Sequence, residues 1–536
     1  MPQSRLLLFG PSFTGDFVQL MAIQLWLYLF YVVLLYPNFF SPIKNLPGPK
    51  GNNMFMGQHA KLSSQKAGVP IREWTRDIPN EGLIRYLDIF NLERVLVLSP
   101  AALREMLVTK CYDFIKPRHT ARLLVYFFGA GMPFVEDEVH KFQKKTMLPA
   151  FAFRHIKELY PTFWKFGKEL VDEVSAEVER NAGRAKITNG SEQPIDSDQA
   201  VLNVVRVFKT ITLDIMGIAG MGQDFEARKN KDDNKLVQAY HTMFAVGWQS
   251  AVVFFLRSFQ LGWLVQCLPL KKNSELEEAK HTIRNTCRQL IRSKSEKLSI
   301  GTLSDIDILS VAIQSGGFTE ESLIDQITTF LLAGHETTAV SMTWACYGLC
   351  QHPDIQRKLR AEIRRHLPSP AGAGDVTSLD IDRIPYLTAV CNEILRYYDV
   401  FVWTRREAAV DTSLLGQPIP KGTAIVLPFT AIHRDKSIWG EDADEFNPDR
   451  WMPSESSGSS KVTNGGATSN FGVMSFLHGP RSCIGESFAR AEFACLLAAW
   501  VGRFEFELND KLEMDEGKLE TAGGFTTGPV HGLDNI

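Results

Sequence analysis

Across 536 residues the chain holds only eight cysteines, at 111, 267, 287, 346, 350, 391, 483 and 495, and no Cys-x-x-Cys pair. No His cluster has zinc spacing, and so sparse a pattern in so long a chain excludes a disulfide framework. A thiol taken at random from this set is expected to be reduced and buried. Charge of one sign is lacking too: 58 basic and 61 acidic residues sum to −3, which removes the basic footprint of a general nucleic-acid binder. No repeat of roughly 20 to 50 residues and no long linker appears. Gly129-Ala130-Gly131 lacks a third glycine, runs into Pro133 and has no βαβ frame, so it is not a dinucleotide loop. With 45% hydrophobic and 22% charged residues the chain is neither disordered nor collagenous. At this length roughly three quarters of the unfolded surface can be buried, so the core needs no staples.

What is present begins with an apolar run, Phe17 to Tyr36, that carries no formal charge. As a helix it is ~30 Å long, enough to cross a hydrocarbon core. Pro37-Asn38-Phe39-Phe40 follows where small residues would mark signal cleavage, so an uncleaved anchor is expected. The expected organisation is a short segment 1–16, an anchor 17–36, a hinge 37–51 stiffened by Leu46-Pro47-Gly48-Pro49-Lys50-Gly51, and one large domain 52–536. Arg5 is offset by Asp16 while Lys44 and Lys50 follow the span, which places the domain in the cytosol. A glycan on Asn189-Gly190-Ser191 would reverse that topology.

Beyond the hinge, helical periodicity dominates at 163–181, 274–299, 319–350, 355–366 and 487–503, with short strands at 94–99 and 424–427. The domain is therefore mainly α with small β-sheets. Loops are expected at 181–194, 368–375 and 453–470. The apolar stretch from Phe244 to Trp263 reads as packed core or as a surface dipping into a bilayer interface.

One cysteine differs from the rest. Phe476-Leu-His-Gly479-Pro-Arg481-Ser-Cys483-Ile-Gly485 leads directly into an amphipathic helix, where unpaired N–H groups favour an anion. The thiolate is expected to be stabilised there, with glycines allowing a tight turn beside a flat group, Phe476 shielding the sulfur and Arg481 holding an anion. These are the needs of a thiolate ligand to haem iron with Arg481 on a propionate; a structural thiol and a nucleophile using His478 as base are the competing readings. Upstream, Ile324 to Cys350 carries only Asp325 and Glu336 as formal charges. A carboxylate in so apolar a helix is costly without a task, so Glu336 reads as functional. Gly334 and the back-bonding pair Thr337-Thr338 predict a local distortion of that helix.

Phe476–Gly485 resembles the haem-binding signature F-x-x-G-x-R-x-C-x-G of the cytochrome P-450 monooxygenases. The anchor with its Leu-Pro-Gly-Pro hinge resembles their eukaryotic microsomal branch, and the chain after residue 46 is similar to fungal secondary-metabolism members. The resemblance implies the cytochrome P-450 fold, with haem b between a long central helix and the Cys-bearing loop. It implies Cys483 as axial ligand, Thr337 and Glu336 as the catalytic pair handling dioxygen and its protons, and Arg481, Phe476, Gly485 and Arg406 around the cofactor. His140 and Lys144 stand where the family often has Trp and Arg against the propionates. Glu393, Arg396 and Arg450 match the family's structural clamp, and Asp399-Val400 replaces its usual Pro-Pro. The partners implied are an NADPH-dependent flavoprotein reductase docking on Lys141, Lys145 and Arg490, cytochrome b5 as a further donor, the endoplasmic reticulum bilayer and a lipophilic substrate. Only about 50 residues follow Cys483, which leaves no space for a fused flavin domain. Phe330, Leu331, Phe401, Val402 and Trp403 are candidates for the pocket wall. A haem-thiolate isomerase, dehydratase or peroxide-using enzyme without external electrons is the alternative, and a haem-free anchored scaffold a third reading.

Overall fold

A computed structural model describes residues 11–181, 185–188, 191–194, 199–229, 234–244, 248–258, 264–265, 268, 270–302, 307–453, 462–509, 519, 521–522, 526–529 and 534–535. Asn189, Cys267 and Trp263 lie outside them. The chain divides into two compact units, one of residues 1–115 and 403–431, the other of 116–402 and 432–536.

The smaller unit begins with helix α1, Pro11–Phe30, which continues in a wider π winding over Tyr31–Phe40 with Pro37 inside it. One stretch, Asp16–Phe40, is long and apolar enough to cross a membrane. The sheet of this unit is built from β1 (Leu83–Leu87), β2 (Glu93–Val97), β3 (Phe114–Ile115), β4 (Thr404–Ala408) and β5 (Ala424–Leu427), in the order β1-β2-β5-β4-β3. β1 and β2 are antiparallel with Leu83 opposite Val97, whereas β5 runs parallel to β2 with Ala424 opposite Arg94. Val95, Leu96, Ile425 and Val426 are buried, as β-branched and aliphatic side chains on a central strand pair should be.

The larger unit is helical. Its principal helices are α2 (Asp137–Met147), α3 (Tyr160–Asn181), α4 (Val204–Ile215), α5 (Lys235–Phe244), α6 (Trp248–Ser258), α7 (Lys271–Ser299), α8 (Glu320–Gln351), α9 (Pro353–His366), α10 (Pro385–Tyr397) and α11 (Glu486–Arg503). α8 is the axis: Thr319 caps it through Ser322 N–H, and from Leu323 to Cys350 nearly every side chain is buried. Glycines set how closely its neighbours approach. A Cβ on Gly334 would lie 2.5 Å from Met216 Sδ, and one on Gly167 of α3 would lie 2.8 Å from Ala499 Cβ of α11. α8 runs unbroken from Glu320 to Gln351, so the distortion expected at Gly334 is absent. Gly334 serves close packing against Met216 instead.

Two further expectations change. Residues 181–194, read as a loop, contain an antiparallel hairpin pairing Ala185–Thr188 with Ser191–Pro194. The stretch after Phe244 divides its side chains between core and surface, with Val253 buried and Trp248 and Phe255 exposed.

Candidate active site

The loop before α11 is tightly folded. Leu477 and Gly479 both take left-handed backbone, at φ 56° and 74°, and the Cys483 N–H donates to Phe476 O at 2.8 Å. Gly485, the other glycine of the motif, is conventional at φ −88°, so it is not there for the turn. Three other elements fasten the loop. From α2, Lys144 Nζ donates to Pro480 O (2.9 Å), Ser482 O (3.0 Å) and Ser482 Oγ (3.3 Å). From α10, Leu395 O accepts the Ser475 hydroxyl at 2.8 Å. From the 429–432 helix end, His433 Nε2 accepts the Met474 N–H at 2.9 Å, while its Nδ1 lies 3.0 Å from Asp399. With Nε2 accepting, the proton resides on Nδ1 and is donated to Asp399. Asp399, where the family has proline, is thus tied to the Cys loop through one imidazole.

Cys483 lies deep among protein atoms, yet it is exposed, unlike every other described cysteine. Its side chain is therefore open on one side. Burial pushes the thiol up, more than the Gly485 N–H bonded to the sulfur and the nearby Lys144 ammonium lower it. The Gly485 N–H and the Lys144 ammonium favour the thiolate, and desolvation opposes them.

Around this loop positive charge gathers. The Arg481 guanidinium is buried and pairs with Glu136, whose carboxylate also accepts the Lys116 backbone N–H at 2.9 Å. Burial raises the Glu136 carboxyl, but Lys116 and Arg481 win and hold it below the usual range. His140 is driven down to about 4, first by burial and then by Lys116, Arg481 and Lys144. Among the described residues its buried Nδ1 has no hydrogen-bond partner. Lys116, Lys144 and Arg481 thus all face His140, together with the carboxylate of Glu136.

The middle of α8 is the one place where that helix opens: Ala333 is exposed and Glu336 and Thr337 are half-buried. Thr337 Oγ1 donates to Ala333 O at 2.8 Å. Phe330, on the same face, packs on Phe151 at 5.5 Å, and Phe151 borders Gly485. Leu331, read as pocket wall, is fully buried and turns with His335 to the opposite side, where His335 meets Tyr240. Glu336 borders a cleft of about 330 Å³ together with Lys209, His241, Tyr240 and His335. Burial raises its carboxyl; Lys209 and the Thr526 hydroxyl counter in part. The adjacent Thr338 reaches α11, donating to Glu492 Oε2 at 2.9 Å, and burial pushes Glu492 up to about 8.

Farther from the sulfur, Glu393 and Arg396 are wholly buried and bonded twice, Arg396 Nε to Oε2 at 2.8 Å and Nη2 to Oε1 at 2.7 Å. Arg450 Nε, Trp451 Nε1 and the Asn447 N–H complete the carboxylate's donors. Arg406 sits on β4 in the smaller unit, buried, with Nη1 donating to Thr404 Oγ1 and Arg405 O. Of the proposed docking cations, Arg490 is engaged by Glu486 and Asn392 and lies 4.8 Å over the Phe476 ring, Lys141 pairs with Glu138, and Lys145 is exposed.

Sequence reasoning missed Glu136, Lys116, Thr526 and Glu492. Glu492 carried the same signal as Glu336, a lone carboxylate inside an apolar helix. The other three meet their partners only through tertiary contacts.

This donor set fits iron protoporphyrin IX. An open sulfur offers a ligand, the cations around His140 suit propionates, and His140 Nδ1 is a buried polar atom with no partner among the described residues. A Cβ on Gly485 would project to 4.0 Å from the sulfur, into the space a flat ring requires.

Comparison with known proteins agrees. The family model described as Cytochrome P450 matches residues 47–531, and the chain belongs to that family. It is similar to Cytochrome P450 monooxygenase sphH of Aspergillus fumigatus, 40% identical over 511 residues, covering 94% of this chain and 90% of the relative. It is also 38% identical over 540 residues to Cytochrome P450 monooxygenase FUM15 of Gibberella moniliformis, covering 93% and 89%. Cytochrome P450 monooxygenase buaD of Petromyces alliaceus is 38% identical over 522 residues, covering 96% and 92%. The protein is an oxygenase, and haem is its cofactor.

Proposed function

We propose that this monooxygenase inserts oxygen from O2 into a lipophilic small molecule of fungal secondary metabolism, a terpenoid, polyketide or alkaloid. Its electrons come from NADPH through a separate flavoprotein reductase, with cytochrome b5 as an accessory donor. Residues 17–36 anchor it in the endoplasmic reticulum membrane through the hinge 37–51, and residues 52–536 form the cytosolic catalytic part. The observation that carries this reading is the Cys483 side chain, deep in the fold yet open on one side, on a loop fastened from three sides.

Cys483 would hold the haem iron through its sulfur, bound as the thiolate. Arg481 and His140 hold the propionates, and Lys144 holds the loop that presents the sulfur. Bound there, haem with a thiolate ligand supplies an oxidant strong enough for an unactivated C–H bond. The chain's own work is binding and proton delivery. Thr337 spends its hydrogen on Ala333 O, so its oxygen keeps lone pairs for the cleft. Glu336, its pKa raised by burial, holds a proton at its carboxyl beside the cleft it shares with Lys209 and His241. Phe330 and Phe151 keep water from the apolar face that receives the substrate.

The reduced carbon monoxide spectrum tests the ligand. Wild type gives a thiolate-type Soret band and Cys483→Ala loses it; a variant retaining both band and turnover would overturn the assignment. Product formation that needed neither NADPH nor reductase would replace the monooxygenase cycle with the isomerase or peroxide alternative.

A further inference from the structure

The start of the Cys483 loop is held by an imidazole whose hydrogen is assigned by a residue on another element. The His433 and Asp399 side chains are only 2% and 10% exposed, and Nδ1 lies 3.0 Å from the Asp399 carboxylate. Across the ring, Nε2 accepts the Met474 N–H at 2.9 Å. A backbone N–H can only donate, so this bond exists in just one of the two neutral tautomers, the one with its hydrogen on Nδ1. In the other tautomer, the Nε2 hydrogen and the Met474 N–H would point at each other. Asp399 decides between them, because an ionised carboxylate can only accept, and so draws the hydrogen to Nδ1.

Both partners are fixed in place. Arg396 Nη1 donates to His433 O at 2.8 Å and pins the backbone that carries the ring. Around Asp399, Tyr397 O accepts Arg434 Nη2 at 3.0 Å and Val400 O accepts the Thr527 N–H at 2.8 Å. Onward from Met474 the loop is a closed turn: the Leu477 N–H donates to Met474 O at 2.9 Å and the Cys483 N–H to Phe476 O at 2.8 Å. Met474 and the sulfur therefore belong to one hydrogen-bonded piece. We propose that Asp399 and His433 are positioning residues for the thiolate ligand: Asp399 selects the imidazole tautomer that grips Met474, and that grip sets how the loop presents Cys483. The inference rests on Cys483 being the haem ligand. It gives Asp399 a task at a position where proline, the family's usual residue, would offer the ring no acceptor. Both residues act through the loop rather than on the reacting atoms, and what they preserve is the sulfur bound as thiolate, on which the oxidising power depends.

The test separates a tautomer from any other hydrogen bond. Glutamine has no tautomers, and its amide can turn an oxygen to the Met474 N–H without help from residue 399. The full-length haem-loaded protein is reduced under carbon monoxide, and the decay of its thiolate-type band to a thiol-type band is timed in mild urea. Asp399→Leu is expected to speed that decay about tenfold on its own, but less than about twofold when combined with His433→Gln. Equal acceleration by Asp399→Leu with and without His433→Gln, or none in either, would overturn the proposal. Asp399→Lys gives a second reading that leaves position 433 untouched. Its ammonium can only donate toward Nδ1, which forces the hydrogen onto Nε2, so it should decay faster than Asp399→Leu; a rate no faster would also overturn the tautomer. A wild-type protein with no thiolate-type band at all would instead remove Cys483 as the ligand, and this proposal with it.

Discussion

Glu393 and Glu136 are both carboxylates between cations in the larger unit, and they are supplied differently. Glu393 takes two N–H groups from Arg396, one each from Arg450 and Trp451 and the Asn447 backbone N–H. Arg396 spends its remaining donors on the carbonyls of His433, Ala443 and Glu445, and Arg450 also meets Asp442. Two guanidiniums face two carboxylates, and no charge is left over. Around Glu136, three cations share one carboxylate, and His140 Nδ1 has no partner among the described residues. The first cluster is saturated and holds the fold; the second keeps a buried imidazole nitrogen open, as a ligand site would.

The saturated cluster breaks hardest. Glu393→Ala strands a wholly buried guanidinium, which should cost about 3–5 kcal/mol, and little carbon-monoxide-binding protein should accumulate. A variant with wild-type yield and urea midpoint would show that the cluster is not a clamp.

Glu492 tests the same distinction without a cation. It is wholly buried and has one donor, the Thr338 hydroxyl, with Oε1 unpartnered. Folded, it keeps its proton to about 8, whereas unfolded it titrates near 4.5. Between those values the fold binds more protons than the unfolded chain, so stability falls as pH rises through that window. The slope is at most on the order of 1.4 kcal/mol per pH unit, and Glu492→Gln should flatten it in denaturant titrations at a series of pH values.

How much of this the sequence could reveal depended on range. The Cys483 loop was legible because its fold is local: Gly479 supplies a positive φ and the Cys483 N–H closes onto Phe476. The upward push on its thiol was not, since that comes from burial. Glu393-Arg396 and Glu362-Arg365 have identical spacing; the first is wholly buried and doubly bonded, the second an exposed contact at 3.7 Å. Only Arg450 and Trp451, more than fifty residues on, separate them. Gly334 read as a helix weakness because Met216, which fills its place, is far away in the chain.

Lys144 marks the boundary between the two kinds of cluster, since its charge belongs to the cation-rich group while its hydrogens fasten the Cys loop. Lys144→Met removes three donors and should loosen the loop by roughly 1–2 kcal/mol. The readout is the rate at which the thiolate-type carbon monoxide band decays to a thiol-type band in mild denaturant, slower again in Lys144→Arg. An unchanged decay would mean that α10 and His433 suffice.

The smallest effects are the most discriminating because they have opposite signs. If Arg481 is what receives a propionate, removing that cation and removing its internal competitor must act in opposite directions. Arg481→Gln should weaken haem retention about tenfold, roughly 1.4 kcal/mol, measured by transfer to an apo-globin acceptor. Glu136→Gln frees Arg481 and should slow that transfer, although by salt-bridge bookkeeping alone it would look equally damaging. Were both variants to lose haem faster, Arg481 and Glu136 would be a structural pair like Glu393 and Arg396, and the two clusters would differ only in size.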